Sequence, residues 1–546
     1  MTWPQSYDPL HSATLSTLAA ALPLVVLLGL LASRRIRAHY AAVGGLVSAL
    51  LIAVFIIGMP PGMALGAAAY GAFYGLFPIG WIILNVLFLY HLAEQRGLLA
   101  ELRNAITHVT VDSRLQLLLV AFSFGAFFEG AAGFGTPVAV TGALLIGLGF
   151  APLEASGLSL IANTAPVAFG ALGTPIIALQ GVTGLDLGQL SQMVGRQLPL
   201  FSLIVPFWLI CAFAGWRGML EVWPALLVAG LTFAVPQFLV SNFHGPWLVD
   251  IISAISSIIA LTWFLRHWSP PRRSAASSDV TDVRSDIAKP AFLFRAFMPW
   301  LVLSAFVFLW GLPQTKAFLN GISAPKLPIY GLDKLVQRVP PAVATATSEP
   351  AVFLFNWMSA TGTAILLAAV VSGFLMQYKV SEMIRAYVRT LWLVRQSLVT
   401  IAAMLAIGYT TRYSGEDVIL GLAFAHTGAM YPFFGAMLGW MGVALTGSDT
   451  SSNVLFGSLQ TVTAQQIGVN PLLMAAANSS GGVMGKMIDA QSIVVASTAT
   501  RWYGQEWRIL RFVFWHSIAL AALVGVLVLL EAYVVPFTYL VPAMKP

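Results

Sequence analysis

Apolar residues run through this chain in blocks, and polar residues gather between the blocks instead of alternating within them. A helix needs about 20 apolar residues to cross roughly 30 Å of hydrocarbon. Blocks of that kind lie at 14–32, 40–58, 63–92, 153–180, 195–215, 221–240, 247–265, 292–312, 350–374, 388–410, 470–495 and 512–535. The pattern predicts an all-α polytopic membrane protein with about 12 full crossings. Two apolar stretches are left over, 115–150 and 418–466, each too long for one span and broken near its middle by small and polar residues. They predict two re-entrant hairpins.

Charge between the blocks orients them. Arg34, Arg35 and Arg37 follow the first block; Arg266, Arg272, Arg273, Arg284 and Lys289 fall in or beside the stretch 267–290; Lys379, Arg385 and Arg389, then Arg501, Arg508 and Arg511, mark two more loops. Basic loops face the cytoplasm. All four share that side if each left-over stretch enters and leaves from one side, and both termini then lie outside. The segment 313–345 runs against the rule, with Lys316, Lys326, Lys334 and Arg338 facing Asp333 alone, and its composition leaves a partial re-entry open. The stretch 267–290, rich in Ser, Pro and Asp, reads as a flexible cytoplasmic linker between a first half, 1–266, and a second, 291–546.

Both halves interrupt their apolar runs in the same order. "GAFFEGAAGFGTPVAV" (125–140) breaks the first hairpin and is followed by "IANTAPVAFGALGTPI" (161–176). "LTGSDTSSNVLFG" (445–457) breaks the second and is followed by "AANSSGGVMGKMIDAQSI" (476–493). Gly133 to Asn163 and Ser448 to Asn478 are both 30 residues, an offset of 315. This predicts an inverted repeat with broken helices over 153–180 and 470–495, unwound at Asn163 and Asn478. Breaks at matched positions mark the binding site of a transporter, because non-helical backbone at membrane depth occurs only inside protein or along a watery cavity. The half-helix ends expose N–H groups that suit an anion. The candidate binding residues are Gly133, Gly135, Thr136, Asn163, Thr164, Ser448, Thr450, Ser451, Asn478, Ser479, Ser480 and Lys486.

Ionisable groups inside apolar runs are costly and mostly functional. Lys486 is either the counter-ion of an anion or the structural partner of Asp489, three residues on. Glu129 and Asp449 are either proton carriers or caps for free N–H groups at the breaks. Asp489 and His426 are further candidates for coupling, His426 being a relay or a hydrogen-bonded structural residue. Arg395 and Arg412, near span ends, read mostly as snorkelling side chains.

The strings "GAFFEGAAGFGTPVAV", "GLSLIANTAPVAFGALGTPI", "LTGSDTSSNVLFGSLQ" and "NSSGGVMGKM…QSI" resemble the bacterial L-lactate permease family over most of the chain. The resemblance implies uptake of L-lactate, glycolate and related short 2-hydroxy monocarboxylates with protons across the bacterial cytoplasmic (inner) membrane. It also implies an ion-transporter architecture in which a mobile domain carries two hairpins across a fixed scaffold. One departure is Asp489-Ala490, where the family commonly has Ser-Pro before the glutamine of "QSI"; it adds a carboxylate near the expected site and bears on substrate preference.

Composition narrows the classes. The chain is 58% hydrophobic and 9% charged, with mean hydropathy +0.84. The +7 net charge is therefore a matter of sidedness and not of nucleic acid. The one cysteine, Cys211, allows no internal disulfide and no multi-cysteine metal site. The N-terminus lacks a basic n-region, so the first block is expected to be retained. "GxxGxG" at 130–135 has no strand before it and is no nucleotide loop. An intramembrane enzyme would need a catalytic set such as a Ser–His pair, metal-binding His/Asp motifs or paired aspartates in helices; the sequence has no HExxH and no clustered His pair, and an inverted repeat has no role in such chemistry. The leading expectation is a proton-coupled monocarboxylate symporter without cofactor, its partners being substrate, protons and lipid; the alternative is a sodium-coupled carboxylate or anion transporter. Oligomeric state is left open.

Overall fold

The computed structural model of the protein describes residues 2–32, 36–98, 100–101, 109–133, 135–270, 290–343 and 345–543. The expected linker falls almost wholly on 271–289, outside the described residues.

The chain is mostly helical, as expected. Helices α1 (Ala13–Ala32) and α2 (Ala38–Leu51) are followed by α3 (Pro61–Tyr74) and α4 (Trp81–Gln95), which form one long rod bent at Phe77. Next come α5 (Ser113–Leu117), a π-wound stretch Leu118–Phe124, α6 (Gly125–Ala131) and α7 (Thr136–Gly147). α8 (Pro152–Ala162) and α9 (Gly170–Thr183) form a span bent by 63°. α10 (Leu187–Phe243) folds back on itself at Gly215, whose φ of 69° leaves the helical region. Ser191 donates to the Ser241 carbonyl at 2.8 Å and Ser202 to Gln237 at 2.7 Å, so its arms lie antiparallel. α11 (Val249–His267), α12 (Pro290–Gly311) and α13 (Pro313–Ile322) complete the first run. The second comprises α14 (Thr361–Leu375), α15 (Val380–Ser414), α16 (Glu416–Ala425), α17 (Tyr431–Thr446), α18 (Asp449–Gln466), α19 (Pro471–Gly485), α20 (Ala490–Ala499) and α21 (Glu506–Tyr533). Proline, which needs no N–H donor at a helix start, opens α3, α8 and α19. Glycines with positive φ, Gly184 and Gly415, stop α9 and α15.

Among the described residues, 9 helices are long and apolar enough to cross a membrane, or up to 11 with each bent pair taken as one span. The expected number of crossings depends on grouping: α10 folds into two arms, and α14 is too short to pass by itself. The crossing expected at 350–374 begins only at Thr361, because 352–354 is a strand.

Two small sheets add to the expected all-α fold. β1 (Trp3–Pro4) pairs in parallel with β3 (Val336–Arg338), which pairs with β4 (Thr347–Ser348); β2 (Lys326–Pro328) pairs with β5 (Val352–Leu354). Segment 313–354 thus forms a cap of one helix and short strands on the face that holds the N-terminus, its helix α13 bent by 76° from α12. The C-terminus reaches the same face, where Gln189 at the start of α10 donates to the Ala543 carbonyl at 2.6 Å. The cap's excess of basic residues is partly neutralised locally: Arg338 pairs with Glu349 at 2.7 Å, and Lys316 lies 4.1 Å over the Trp247 ring.

Each left-over stretch contains a helical hairpin, α5–α7 in the first and α17–α18 after the separate α16 in the second, and the two enter from opposite faces. At the start of the first, Arg114 binds Glu221 (2.6 Å) and the Gly218 carbonyl (3.1 Å) beside the Gly215 bend, at the end of α10 away from the termini. At the end of the second, Gln466 donates to the Pro341 carbonyl of the cap at 2.8 Å.

Candidate functional site

Each hairpin tip rests on the break of a bent span. In the first half the tip 132–135 uses left-handed Gly133 (φ 62°) and Gly135 (φ 82°), a conformation that costs glycine nothing. The chain after α8 is unwound from Asn163, and Ala171, Leu172 and Gly173 are consecutive left-handed residues before the regular part of α9. A Cβ added at Gly133 would meet Ala171 at 3.2 Å, so tip and break touch. In the second half Gly447 (φ 73°) makes the tip between α17 and α18, and the chain unwinds over 486–489. Lys486 donates to the Gly447 carbonyl at 2.6 Å. The halves interlock: Asn453 on α18 donates to the Pro175 carbonyl of α9 at 3.2 Å.

Between these parts lies a cavity of about 140 Å³. Glu129, Gly133 and Gly135 line it from the first hairpin, Gly170 and Thr174 from the first break, and Ser448, Asp449, Thr450 and Ser451 from the second tip. Lys486, Gln491 and Ser492 close the second break, and Ser397, Thr400, Ile401 and Met404 of α15 form the remaining wall. The sequence places a span at 388–410 but gives its Ser397 and Thr400 no part in the site; their signal is a Ser-x-x-Thr pair on one face of an otherwise apolar span. The sequence reading also missed Thr174 and Gln491, which sit inside quoted motifs.

Three assignments change. Asn478 is not at a break. It lies inside continuous α19, fully buried, donating to Asn453 at 2.9 Å and accepting from Gln460 at 3.2 Å. The second break begins eight residues later, at Lys486, so the offset of 315 does not align the two unwound points. Asp449 does not cap α18; Ser448 does, accepting from the Ser451 N–H at 3.3 Å. Asp489 is the cap of α20, accepting from the Ser492 N–H at 2.7 Å, with its other oxygen 3.4 Å from Lys486.

Other candidates lie outside the lining. Thr136 begins α7. Thr164 donates to the Ile161 carbonyl at 2.8 Å. Ser479 donates to Asp449 at 2.5 Å and so supports a lining carboxyl, while Ser480 donates to Gln197 at 2.7 Å. Asn163 is 2% exposed at the first break, with neither amide atom hydrogen-bonded. His426 ends α16, exposed, and is not brought to the cavity. Arg395 lies exposed, 4.3 Å over the Trp392 ring, as a snorkelling side chain would. Arg412 does not snorkel: it donates to the Val182 carbonyl at 3.0 Å and pairs with Glu349 at 3.2 Å.

Lys486 is the one cation of the lining among the described residues, 6% exposed and facing three carboxyls. Asp489 neutralises it. Glu129, 5% exposed, and Asp449, 3% exposed, each keep one oxygen without a hydrogen-bond partner. With both ionised, the cavity would carry an uncompensated negative charge that repels anions. With both neutral, it offers an ammonium, hydroxyls and backbone N–H groups to one.

The profile of the L-lactate permease family matches residues 16–535. The L-lactate permease of Salmonella typhimurium is 47% identical over 551 residues, covering 99% of this chain and 100% of that protein. The Escherichia coli glycolate permease GlcA is 46% identical over 552 residues, covering 98% and 99%. Among solved structures, Neisseria gonorrhoeae MtrF aligns over 86% of this chain and 83% of its own at 14% identity, with a TM-score of 0.44, too low to carry an argument. The motifs, the paired hairpins and these matches agree that the chain belongs to the L-lactate permease family and is a multi-pass membrane transporter, not an enzyme.

Proposed function

We propose that the cavity binds one short 2-hydroxy monocarboxylate, L-lactate or glycolate, and that uptake is coupled to protons carried by Glu129 and Asp449. The observation that carries this reading is the charge balance of the lining: one lysine already paired, and two further buried carboxyls with no cation of their own. Binding an anion there requires those carboxyls to take up protons first, so anion and proton arrive together. Relatives named for L-lactate and for glycolate support the substrate class, and the small cavity suits so small an anion. The substrate carboxylate would meet Lys486 and the N–H groups of the tips, charge-assisted bonds being about twice as strong as neutral ones. Thr400, Ser397 and Ser448 are within the same lining for the 2-hydroxyl.

Sidedness follows the basic loops. The cap and both termini face outward, and the hairpin α5–α7 enters from the cytoplasm, in the bacterial inner membrane. The two halves, 1–266 and 291–546, act as inverted repeats, with Thr136 and Ser448 starting the returning limbs of their hairpins. Sodium coupling is the second reading, since carboxylate oxygens and freed carbonyls at broken helices also suit sodium. Uptake of labelled L-lactate by the purified protein in liposomes separates them. Accumulation that follows an imposed pH gradient without sodium supports proton coupling; dependence on sodium with indifference to pH rejects it.

A further inference from the structure

Behind the cavity lies a carboxyl that none of the motifs contains. Asp250 stands in the first turn of α11, 1% exposed, and neither of its oxygens has a hydrogen-bond partner. The loop before it is buried as well: a Cβ added at Gly173, in the first break, would meet Pro246 at 2.7 Å. A Cβ added at Gly130 would meet the Asp250 Cβ at 2.7 Å, which places Asp250 against the residue next to Glu129. The two carboxyls thus stand on helices packed against each other, α6 and α11. Asn163 lies beside Glu129, outside strict hydrogen-bond geometry. Five polar atoms on three side chains, each at most 5% exposed, are therefore without partners in one place. Native interiors rarely tolerate this, and such groups call for a functional explanation.

Among the described residues no cation is bonded to Asp250, and Lys316 of α13 lies instead over the Trp247 ring of the preceding loop. α9 and the π-wound stretch before α6, both packed on α11, carry no titratable side chain. The charged residues of α10 are engaged or distant: Arg196 binds Asn242 (3.0 Å) and the Leu540 carbonyl (2.7 Å), while Arg217 and Glu221 sit by the Gly215 bend. His244, in the preceding loop, stacks on Phe308. Arg266 and His267 lie at the far end of α11. Lys486 shares the cavity lining with Glu129 and is held by the Gly447 carbonyl and Asp489. A carboxylate buried without donor or counter-ion is costly as an anion, and two side by side are stable sharing one proton.

We propose that Glu129 and Asp250, with Asn163 between donor and acceptor roles, form one proton-transfer pair, Asp250 being the station behind the cavity. The step is a single transfer: the Glu129 acid gives its proton to the Asp250 carboxylate, directly or through one water, one O–H bond breaking as the other forms. The pair's net charge is unchanged, and the negative charge passes from Asp250 to Glu129 as the proton passes the other way. This rests on the proton-coupled reading above and adds a residue to it.

The test uses the full-length protein in liposomes and two readouts. Exchange of labelled for unlabelled L-lactate at equal pH needs no net proton movement; accumulation on an imposed pH gradient does. Asp250→Asn should keep exchange and lose gradient-driven accumulation by about tenfold or more. Accumulation equal to that of the unaltered protein overturns the proposal. If the unaltered protein itself ignores the gradient while exchanging, proton coupling fails, and that result is distinct. Should Asp250→Asn lose both activities, labelling of the unaltered protein by a hydrophobic carbodiimide decides, since the reagent attacks protonated carboxyls in apolar surroundings. Modification at both Glu129 and Asp250, reduced by L-lactate, supports the pair; modification at Glu129 with none at Asp250 overturns it.

Discussion

Lys486 is claimed by two neighbours, the Gly447 carbonyl at 2.6 Å and Asp489 at 3.4 Å. These contacts take at most two of the three N–H donors of the ammonium and leave one for the anion, so Lys486→Met, similar in length but uncharged, should weaken L-lactate binding by at least tenfold, about 1.4 kcal/mol, with normal protein levels. Asp489 is then left unpaired, and Lys486→Met with Asp489→Asn separates the roles. Affinity restored in the double variant would mean that the lysine only neutralises Asp489; affinity still low means that it meets the anion. On the α15 wall, Thr400→Val keeps the shape and removes one hydroxyl. It should raise KM for L-lactate by roughly threefold to tenfold, in line with about 0.5–1.5 kcal/mol for one hydrogen bond; an unchanged KM would remove Thr400 from the site. Glu129, Asp449 and Lys486 were legible because an ionisable group in an apolar run has no cheap explanation. Ser397, Thr400 and Asp250 were not, because a hydroxyl in a membrane helix or an acid in a helix's first turn is ordinary until folding shows what it faces.

The hairpins were legible as elements because Gly133, Gly135 and Gly447 break runs too long for one span. The second break was misplaced for a physical reason. "NSSGGVMG" reads as a breaker, yet its glycines serve packing: Cβ atoms added at Gly481 and Gly485 would collide with the backbone of α17 at Ala436 and Trp440. The helix stops instead at Lys486, and Asp489 starts a new one by capping it. A sequence shows small residues but not whether they unwind a helix or let another approach. Gly481→Val should therefore force α17 and α19 apart and cost about 1–3 kcal/mol, read as a lower Tm in detergent. An unchanged Tm would show that the contact has slack.

Across the whole molecule, the cap ties the termini face together. Gln5 donates to the carbonyls of Arg412 and Tyr413 at 2.9 and 3.0 Å, and Arg412, Glu349 and Arg338 form a chain of ion pairs from α15 to the cap. The sidedness argument predicts that this face is external. In a Cys211→Ser background, Tyr330→Cys on the cap should react with an impermeant maleimide added to intact cells, and Tyr503→Cys, also exposed but on the opposite face, should not; the reverse pattern would invert the topology. The central claim is that anion and proton meet in one cavity, and proton uptake on substrate binding tests it most directly. L-lactate is added to purified protein in weak buffer with a pH indicator, between about pH 5 and 8. The account predicts protons taken up in step with binding, and their loss in Glu129→Gln with Asp449→Asn. Saturable binding with no proton uptake anywhere in that range would contradict it.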